Sequence, residues 1–178
     1  MNKTIKYWIF KTKWGYFGIT GTEDGLLRTF LPQSNRQDVE RQILKAFPST
    51  KSEKKPFEKA IKAVLEYFAS KKVDFANVPV SLEALRPFAK KVLCACRDIP
   101  SASTISYREL AKKIGRPNAC RAVGTVMAKN PLPLIIPCHR IIRSDGKLGG
   151  FSAPSGLSTK KKLIDIEKRA AAKATPYE

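Results

Sequence analysis

Residues 106–130 read SYRELAKKIGRPNACRAVGTVMAKN, and this stretch predicts a helix, a short turn and a second helix. Ser106 is the expected N-cap of the first helix, because Glu109 follows at the spacing of a capping box. Gly115 is a typical stop signal at the end of a helix. Asn118 is the expected N-cap of the second helix. This order of elements is that of a helix-turn-helix unit.

The second helix of this unit is rich in small side chains, which let its backbone approach another surface closely. They are Ala119, Cys120, Ala122, Gly124 and Ala128. One interpretation is close packing against a neighbouring helix. The other is insertion into a DNA groove with Arg121 projecting. The minor groove of DNA is only about 6 Å wide, whereas a helix with its side chains has a diameter of about 10–12 Å, so the groove would have to widen. Binding in the minor groove would distinguish few base sequences.

The charge of the chain favours a polyanionic partner. Its 178 residues carry a formal net charge of +19. Between residues 110 and 164 there are eleven lysines or arginines and a single acid, Asp145. An excess of positive charge is typical of proteins that bind nucleic acid, although a generally basic surface has the same composition.

The cysteines and the hydropathy of the chain bear on its compartment. The polar start of the chain lacks the pattern of a signal peptide, and no apolar run approaches the roughly 20 residues that span a bilayer. We therefore expect a cytoplasmic protein with free thiols and no membrane association. Cys94 and Cys96 are too close together for a zinc half-site, and the single histidine lies far away in the sequence, so we expect no metal site.

The first half of the chain predicts a small domain, residues 1–80, with a structural role. Alternating aromatic and β-branched residues indicate three strands within residues 6–32, with breaks near 13–15 and 23–25. A helix over 34–47 is expected to begin at Ser34 or Asn35. A second helix over 56–70 starts with Pro56, and residues 73–79 read as extended.

The second half, residues 81–178, predicts a mostly helical domain. Residues 81–99 indicate one helix, or two short helices broken at Pro87. A last helix is expected to begin near Ser158. Together the two halves predict the α+β class, with a sheet-plus-helix domain followed by a helical domain that carries the helix-turn-helix.

A cysteine and the only histidine are adjacent in IPCHRII, residues 136–142. A thiol is mostly protonated at neutral pH, and an imidazole can take its proton directly or through a water molecule. A histidine in that role needs an orienting acid, for which Glu167 is the candidate and Asp165 the alternative. The opposing interpretation is that Cys138 fills the core and His139 lies at the surface, because most cysteines are inert.

Several motifs match one family in order and spacing. The region from Phe88 to Glu167 resembles the O6-alkylguanine-DNA alkyltransferases, also called methylated-DNA–protein-cysteine methyltransferases. The residues that carry the resemblance are Ser106-Tyr107, Gly115-Arg116-Pro117, Arg121-Ala122-Val123-Gly124, Asn130-Pro131 and Pro137-Cys138-His139-Arg140. The N-terminal half matches that family only in its general shape.

The resemblance implies DNA repair by direct transfer of an alkyl group to Cys138. The donor would be O6-alkylguanine in double-stranded DNA, with O4-alkylthymine as a further candidate, and the target nucleotide would be flipped out of the duplex. The product is a thioether, which water does not hydrolyse, so the protein would act once. The resemblance also implies a monomer that needs no cofactor and no metal.

The same resemblance implies a role for individual residues. Cys138 would accept the alkyl group, His139 would act as base through a water molecule, and Glu167 would align His139. Tyr107 would donate a proton toward the departing base and help to rotate the nucleotide outward. Asn130 would tie the helix-turn-helix to the active-site loop.

The resemblance assigns further residues to DNA and to the base pocket. Arg121 would replace the extruded base in the stack. The DNA-binding residues would be Arg121, Tyr107, Ala122, Gly124 and Ser106, and the base pocket would hold Met127, Phe151 and Ser152. Ser152 would hydrogen-bond the base oxygen. The loop over 151–157, FSAPSGL, departs from that family, which has tyrosine in place of Phe151 and then a tight Gly-Gly-Leu.

Three other functions are compatible with parts of the sequence. A helix-turn-helix regulator with Cys138 as a redox sensor would dimerise and bind a specific operator. A damage binder without transfer activity would be similar to the alkyltransferase-like proteins, but those have tryptophan at the position of Cys138, so the sequence argues against this function. A cysteine hydrolase that acts through a thioester would turn over many times.

Overall fold

The structure is a computed structural model that describes residues 4–153 and 155–174. The chain divides into two compact units between Leu82 and Glu83. In the part of the chain that is described, no helix has the length and apolar character needed to cross a membrane.

A four-stranded sheet forms the first unit, in the order β3-β2-β1-β4. Strand β1 (Lys6–Thr12) pairs antiparallel with β2 (Gly15–Thr22), and β2 pairs antiparallel with β3 (Gly25–Gln33). The short β4 (Lys51–Ser52) lies parallel to β1. The three predicted strands and the two predicted breaks are confirmed.

Two helices cover opposite faces of this sheet. Helix α1 (Arg36–Ala46) begins after Asn35, whose side chain caps the Gln37 N–H at 2.9 Å, which decides between the two predicted caps. Its Val39 packs so closely on Gly18 that a Cβ there would lie 2.6 Å from the valine methyl. Adjacent strand residues point to opposite faces, so Phe17 faces the other way, toward helix α2 (Glu58–Phe68).

Two predictions for the first unit need correction. Pro56 lies in a short 3-10 helix (Lys55–Phe57), and α2 begins only at Glu58. Residues 73–79 are not extended, because the Asp74 carboxylate accepts the Ala76 N–H at 2.8 Å and turns the chain. The contact with the sheet in this region is an isolated bridge between Leu26 and Val80.

Within the described residues, the second unit contains four α-helices, one 3-10 turn and one small sheet. Helix α3 (Pro87–Arg97) is single and starts at Pro87, because a residue that precedes proline, here Arg86, is held in an extended conformation. Helices α4 (Tyr107–Lys113) and α5 (Cys120–Ala128) form the helix-turn-helix. Helix α6 (Gly156–Ala174) begins two residues before the predicted start.

The helix-turn-helix confirms one predicted cap and contradicts the other. Ser106 Oγ accepts the Glu109 N–H at 3.1 Å, and the Glu109 carboxylate accepts the Ser106 N–H at 2.6 Å, as a capping box requires. Gly115 ends α4 at a φ of 72°. Asn118 does not cap α5: the N-cap is Ala119, which makes no side-chain cap and is held by a turn hydrogen bond to Arg116 O at 2.9 Å.

A two-stranded parallel sheet joins the start of α4 to the Cys-His segment. Strand β5 (Ile105–Ser106) pairs with β6 (Ile141–Ile142). These strands are too short to show a periodic pattern in the sequence. Because the two strands are parallel, the residues that precede β5 lie toward the Cys-His-Arg segment that precedes β6, and Tyr107, which follows β5 directly, lies toward the residues that follow β6.

Candidate active site

Cys138, His139 and Arg140 form a single 3-10 turn that leads directly into β6. The turn is closed by a hydrogen bond from Arg140 N to Pro137 O at 2.9 Å. The side chains are all buried, with relative exposures of 7% for Cys138, 0% for His139 and 6% for Arg140. The interpretation that placed His139 at the surface is therefore wrong.

The imidazole of His139 contacts the carboxylate of Glu167 on α6, with 2.7 Å between Nε2 and Oε1. Burial lowers the pKa of His139, although the Glu167 hydrogen bond opposes that change. The ring is therefore neutral at pH 7, and the carboxylate assigns its proton to Nε2. Nδ1 keeps its lone pair and has no hydrogen-bond partner among the described residues, so it can accept a proton.

Arg140 forms hydrogen bonds with the same carboxylate and was not predicted as a site residue. Its Nη2 lies 2.9 Å from Glu167 Oε1 and its Nε 3.0 Å from Oε2, while Nη1 donates to Ile99 O. The Ala102 N–H donates to Oε2 at 3.0 Å. Burial raises the pKa of Glu167, but the hydrogen bonds and charges of His139 and Arg140 outweigh it and lower the pKa to about 2.

Asp165, the alternative partner of His139, makes no such contact. It lies two residues before Glu167, so it is on a different face of α6. Its carbonyl oxygen accepts a hydrogen bond from Arg169 Nε at 3.2 Å.

Asn130 links the end of α5 to the segment before Cys138. Its Nδ2 donates to Ile136 O at 2.8 Å, and its Oδ1 accepts the Leu132 N–H at 3.0 Å.

Burial raises the pKa of the Cys138 thiol, whereas a hydrogen bond from Asn130 and the charge of Lys160 oppose that rise. The thiol is therefore protonated at rest, because the effect of burial outweighs the groups that favour its anion.

Tyr107 is half-buried, with its ring against two glycines. A Cβ on Gly149 would lie 3.3 Å from the ring, and one on Gly124 would lie 3.9 Å from it. The pKa of Tyr107 is raised, first by burial and then by the charges of Cys138 and Cys96. The phenol is therefore protonated at neutral pH and can donate a hydrogen bond or a proton.

Lys160 is a second buried cation beside Arg140 and was not predicted as a site residue. It is fully buried on α6, and its Nζ donates to Ile141 O and Leu148 O. Nζ lies 6.0 Å from the centre of the Tyr107 ring. Burial lowers the pKa of Lys160 to about 8. The sequence held a signal, since Lys160 shares the helical spacing of the buried Leu163 and of Glu167.

Two protein-family models match most of the chain. Residues 87–169 match the model of the 6-O-methylguanine DNA methyltransferase DNA binding domain, and residues 5–82 match that of its ribonuclease-like domain. A methylated-DNA–protein-cysteine methyltransferase of Methanosarcina barkeri is 36% identical over 162 residues, which is 90% of this chain and 96% of the relative. The chain belongs to the 6-O-methylguanine DNA methyltransferase family.

Solved structures of the family extend this likeness to the fold. The crystal structure of the Mycobacterium tuberculosis O6-methylguanine methyltransferase matches with a TM-score of 0.76 and 28% identity, over 98% of this chain and 97% of that chain. The same bacterium's protein in complex with DNA matches with a TM-score of 0.74 and 29% identity, over 94% and 96% of the two chains. The predicted α+β class and the predicted family are confirmed.

The residues that the family resemblance assigned to DNA lie on or beside the helix-turn-helix. Arg121 and Ala122 are exposed on α5, and Gly124 on the same helix lies against the Tyr107 ring. Ser106 differs from these, because its hydroxyl already accepts the Glu109 N–H as the helix cap.

The residues assigned to the base pocket differ in burial. Met127 is buried on α5, and Phe151 is partly exposed. Ser152 is exposed and donates its hydroxyl proton to Ala128 O at 2.9 Å, so that proton already has an acceptor at the end of α5. To donate the predicted hydrogen bond to a base oxygen, this hydroxyl would first have to give up its bond to Ala128 O. Pro154 of the same loop lies outside the described residues.

Proposed function

We propose that this protein repairs DNA by transferring an alkyl group from O6-alkylguanine to the sulfur of Cys138, once per molecule. One observation carries the proposal: the buried Cys138 thiol directly precedes a buried histidine whose Nε2 contacts Glu167 at 2.7 Å and whose Nδ1 has no hydrogen-bond partner among the described residues. The relatives named methylated-DNA–protein-cysteine methyltransferases and the related structure in complex with DNA support the same activity and the same partner.

Activation of the thiol begins with its proton. The proton passes from Cys138 through a water molecule to His139 Nδ1, which is the ring nitrogen without a partner among the described residues. The resulting imidazolium is stabilised by Glu167, in contact with Nε2 at 2.7 Å. Arg140 keeps that carboxylate ionised and oriented, so that the ring does not have to reorganise during the reaction.

Transfer then forms one bond and breaks another. A sulfur lone pair forms the S–C bond while the C–O6 bond breaks, and its electron pair stays with the purine. Tyr107 supplies a proton to the departing base, which leaves as neutral guanine. The thioether has no carbonyl carbon for water to attack, so the thiol is not regenerated. O4-alkylthymine presents the same alkoxy carbon beside a ring nitrogen and is a second substrate of this chemistry.

The burial of the acceptor supports nucleotide flipping. Cys138 is only 7% exposed, so a base stacked in a duplex cannot bring its alkyl carbon to the sulfur. The target nucleotide must therefore leave the stack. The exposed Arg121 on α5 can fill the vacated space, and the net charge of +19 provides affinity for phosphates that does not depend on sequence.

The test uses duplex DNA that contains O6-methylguanine. After incubation the protein is digested, and the peptide that carries Cys138 is weighed. We expect a gain of one methyl group, with no more than one equivalent of guanine repaired per protein. Cys94→Ser, a change at an exposed cysteine, is the matched control and should repair as well as the wild type.

Two results would contradict the proposal. Repair of many equivalents of DNA would indicate a hydrolase that regenerates its thiol. Binding of DNA with no modification of Cys138 would favour a helix-turn-helix regulator, and formation of a disulfide dimer would then identify a redox sensor.

A further inference from the structure

We propose that Ala102 is a positioning residue for the transfer, and that its left-handed backbone aims the peptide N–H at Glu167, which holds the carboxylate toward His139. The inference rests on the proposed function in one respect, that His139 acts as the base for Cys138. It goes beyond that function because it assigns a role to the loop between α3 and β5, outside the Cys-His-Arg turn and the helix-turn-helix.

Ala102 has a backbone conformation that residues other than glycine rarely adopt. Its φ is 62°, in the left-handed region, where Cβ comes too close to the following carbonyl oxygen. It is the third residue of a turn in which Pro100 O accepts hydrogen bonds from the Ser103 N–H at 3.3 Å and the Ser103 hydroxyl at 2.8 Å. A type II turn requires a positive φ at its third residue, and glycine is usual there. The loop therefore holds a strained alanine.

The segment over residues 99–103 contacts both members of the buried ion pair between Arg140 and Glu167. The Ala102 N–H donates to Glu167 Oε2 at 3.0 Å. The carbonyl oxygen of Ile99, three residues earlier, accepts a hydrogen bond from Arg140 Nη1. A backbone donor thus faces the anion and a backbone acceptor faces the cation, so this one segment restrains both charged groups.

The contact with Ala102 is made at the carboxylate oxygen that does not contact His139. Glu167 Oε2 accepts hydrogen bonds from the Ala102 N–H and from Arg140 Nε, each at 3.0 Å. Oε1 lies 2.7 Å from His139 Nε2. The carboxylate cannot rotate away from the imidazole without breaking the bonds at Oε2. The loop therefore maintains the orientation in which Glu167 presents Oε1 to His139.

The strain at Ala102 supports a role in the site rather than in the stability of the fold. Residues in sparsely populated backbone regions cost free energy, persist only where the surrounding structure holds them, and are concentrated at functional sites. A left-handed alanine destabilises the loop, yet it is this conformation that brings the N–H to Glu167.

The test compares variants that keep or lose this conformation. Glycine adopts a positive φ readily, so Ala102→Gly should keep the turn and its N–H. A β-branched residue at positive φ is a genuine outlier, so Ala102→Val should turn the N–H away from Glu167. Ser70→Val is the matched control, because Ser70 has a φ of 61° in the first unit. The single-turnover rate of methyl transfer and the thermal unfolding of each protein are measured.

A second readout follows the imidazole of His139 without DNA. The chain contains a single histidine, so its ring signals are identified directly in a proton–nitrogen NMR correlation spectrum. The proton on Nε2 resonates at low field when it is hydrogen-bonded to a carboxylate, so its signal reports the contact with Glu167. A loss of loop stability alone would leave this signal in place.

We expect Ala102→Val to slow transfer by about tenfold, because a misplaced carboxylate no longer holds the base in position. The Nε2 proton signal should move to higher field in the same variant. Ala102→Gly should keep the rate and the signal of the wild type, and its midpoint of thermal unfolding should rise by about 2 °C because the strain is removed. Ser70→Val should lower that midpoint and leave the rate and the signal unchanged.

Three results would overturn the inference. The first is a folded Ala102→Val with the rate and the signal of the wild type. The second is an equal loss of rate in Ala102→Gly, which would show that the methyl group matters and the backbone conformation does not. The third is an equal shift of the His139 signal in Ser70→Val, which would show that the effect follows from lowered stability.

A second variant keeps the inference testable if Ala102→Val does not fold. Replacement of Ala102 by lactic acid, the corresponding hydroxy acid, turns its peptide bond into an ester and removes only the N–H. We expect the same shift of the His139 signal, and an unchanged signal would contradict the inference. Failure of the proposed function is seen separately, as absence of methyl transfer by a wild type whose Nε2 proton signal still shows the contact with Glu167.

Discussion

Arg140 and His139 contact the same carboxylate, that of Glu167, from adjacent positions of one 3-10 turn. The contacts are 2.9 Å from Arg140 Nη2 and 2.7 Å from His139 Nε2, both to Oε1. Arg140 makes Glu167 a strong and permanently ionised acceptor, and Glu167 in turn sets the proton position on His139. The basicity of His139 Nδ1 therefore depends on the ion pair between Arg140 and Glu167, which lies at Nε2 on the opposite side of the ring.

The first prediction concerns the charge of Glu167. Glu167→Gln should slow methyl transfer by about 10²-fold, because the imidazolium loses its stabilising anion and general base catalysis contributes at least that much. The measurement is the single-turnover rate with O6-methylguanine DNA. Asp165→Asn, on another face of the same helix, is the control and should react like the wild type. Equal rates in all three proteins would show that Glu167 does not act through His139.

The second prediction is a loss of stability in acid. The folded pKa of Glu167 is about 2, below its ordinary 4.5, so its ionised form stabilises the fold above about pH 4.5. This contribution, about 3 kcal/mol, is lost as the pH falls from 4.5 toward 2. Urea unfolding of wild type and Glu167→Gln across this range measures it. The free energies of unfolding of the two proteins should converge as the pH falls, and a constant difference between them would contradict the assignment.

The third prediction concerns Arg121, which is exposed on α5. Arg121→Ala should slow repair of duplex DNA far more than reaction with free O6-benzylguanine, because only the duplex leaves a gap in its stack when the base is extruded. Arg41→Ala removes an exposed arginine from the first unit and is the charge-matched control. If Arg121→Ala lowered both rates equally, it would not have a base-replacing role.

The fourth prediction separates binding from transfer. Cys138→Ala should abolish transfer while DNA affinity stays within about threefold of the wild type, because phosphate contacts dominate affinity. Binding of both proteins should weaken with rising salt at the same slope, measured by fluorescence anisotropy on a labelled duplex. Loss of DNA binding along with transfer would indicate that Cys138 is needed for the fold.

The fifth prediction tests the capping box. Ser106→Ala removes the acceptor of the Glu109 N–H at 3.1 Å and should lower the free energy of unfolding by about 1 kcal/mol. Because Ser106 directly precedes Tyr107, the same change should also lower the transfer rate. Ser144→Ala, a change at an exposed serine of the same unit, is the control for stability by urea unfolding. A loss no larger than that of Ser144→Ala would mean that the cap contributes little.

Features that depend on neighbours in the chain were predictable from the sequence. The breaks between the three strands, the cap at Ser106 and the glycine that ends α4 all follow from interactions that span a few residues. The adjacency of Cys138 and His139 is itself a fact of the sequence. The family resemblance rested on motifs of this local kind, and the comparisons confirm it.

The tertiary structure decided which buried groups meet. Arg140 and Glu167 are 27 positions apart, and only the packing of α6 against the 3-10 turn brings them into contact. The helical spacing of Lys160, Leu163 and Glu167 indicates a shared face of α6, but only the structure shows that Lys160 Nζ on this face donates to Ile141 O and Leu148 O. The same applies to Ser152, whose proton goes to Ala128 O. A short-range pattern carries no information about such partners, because burial and long-range contact are properties of the packed chain.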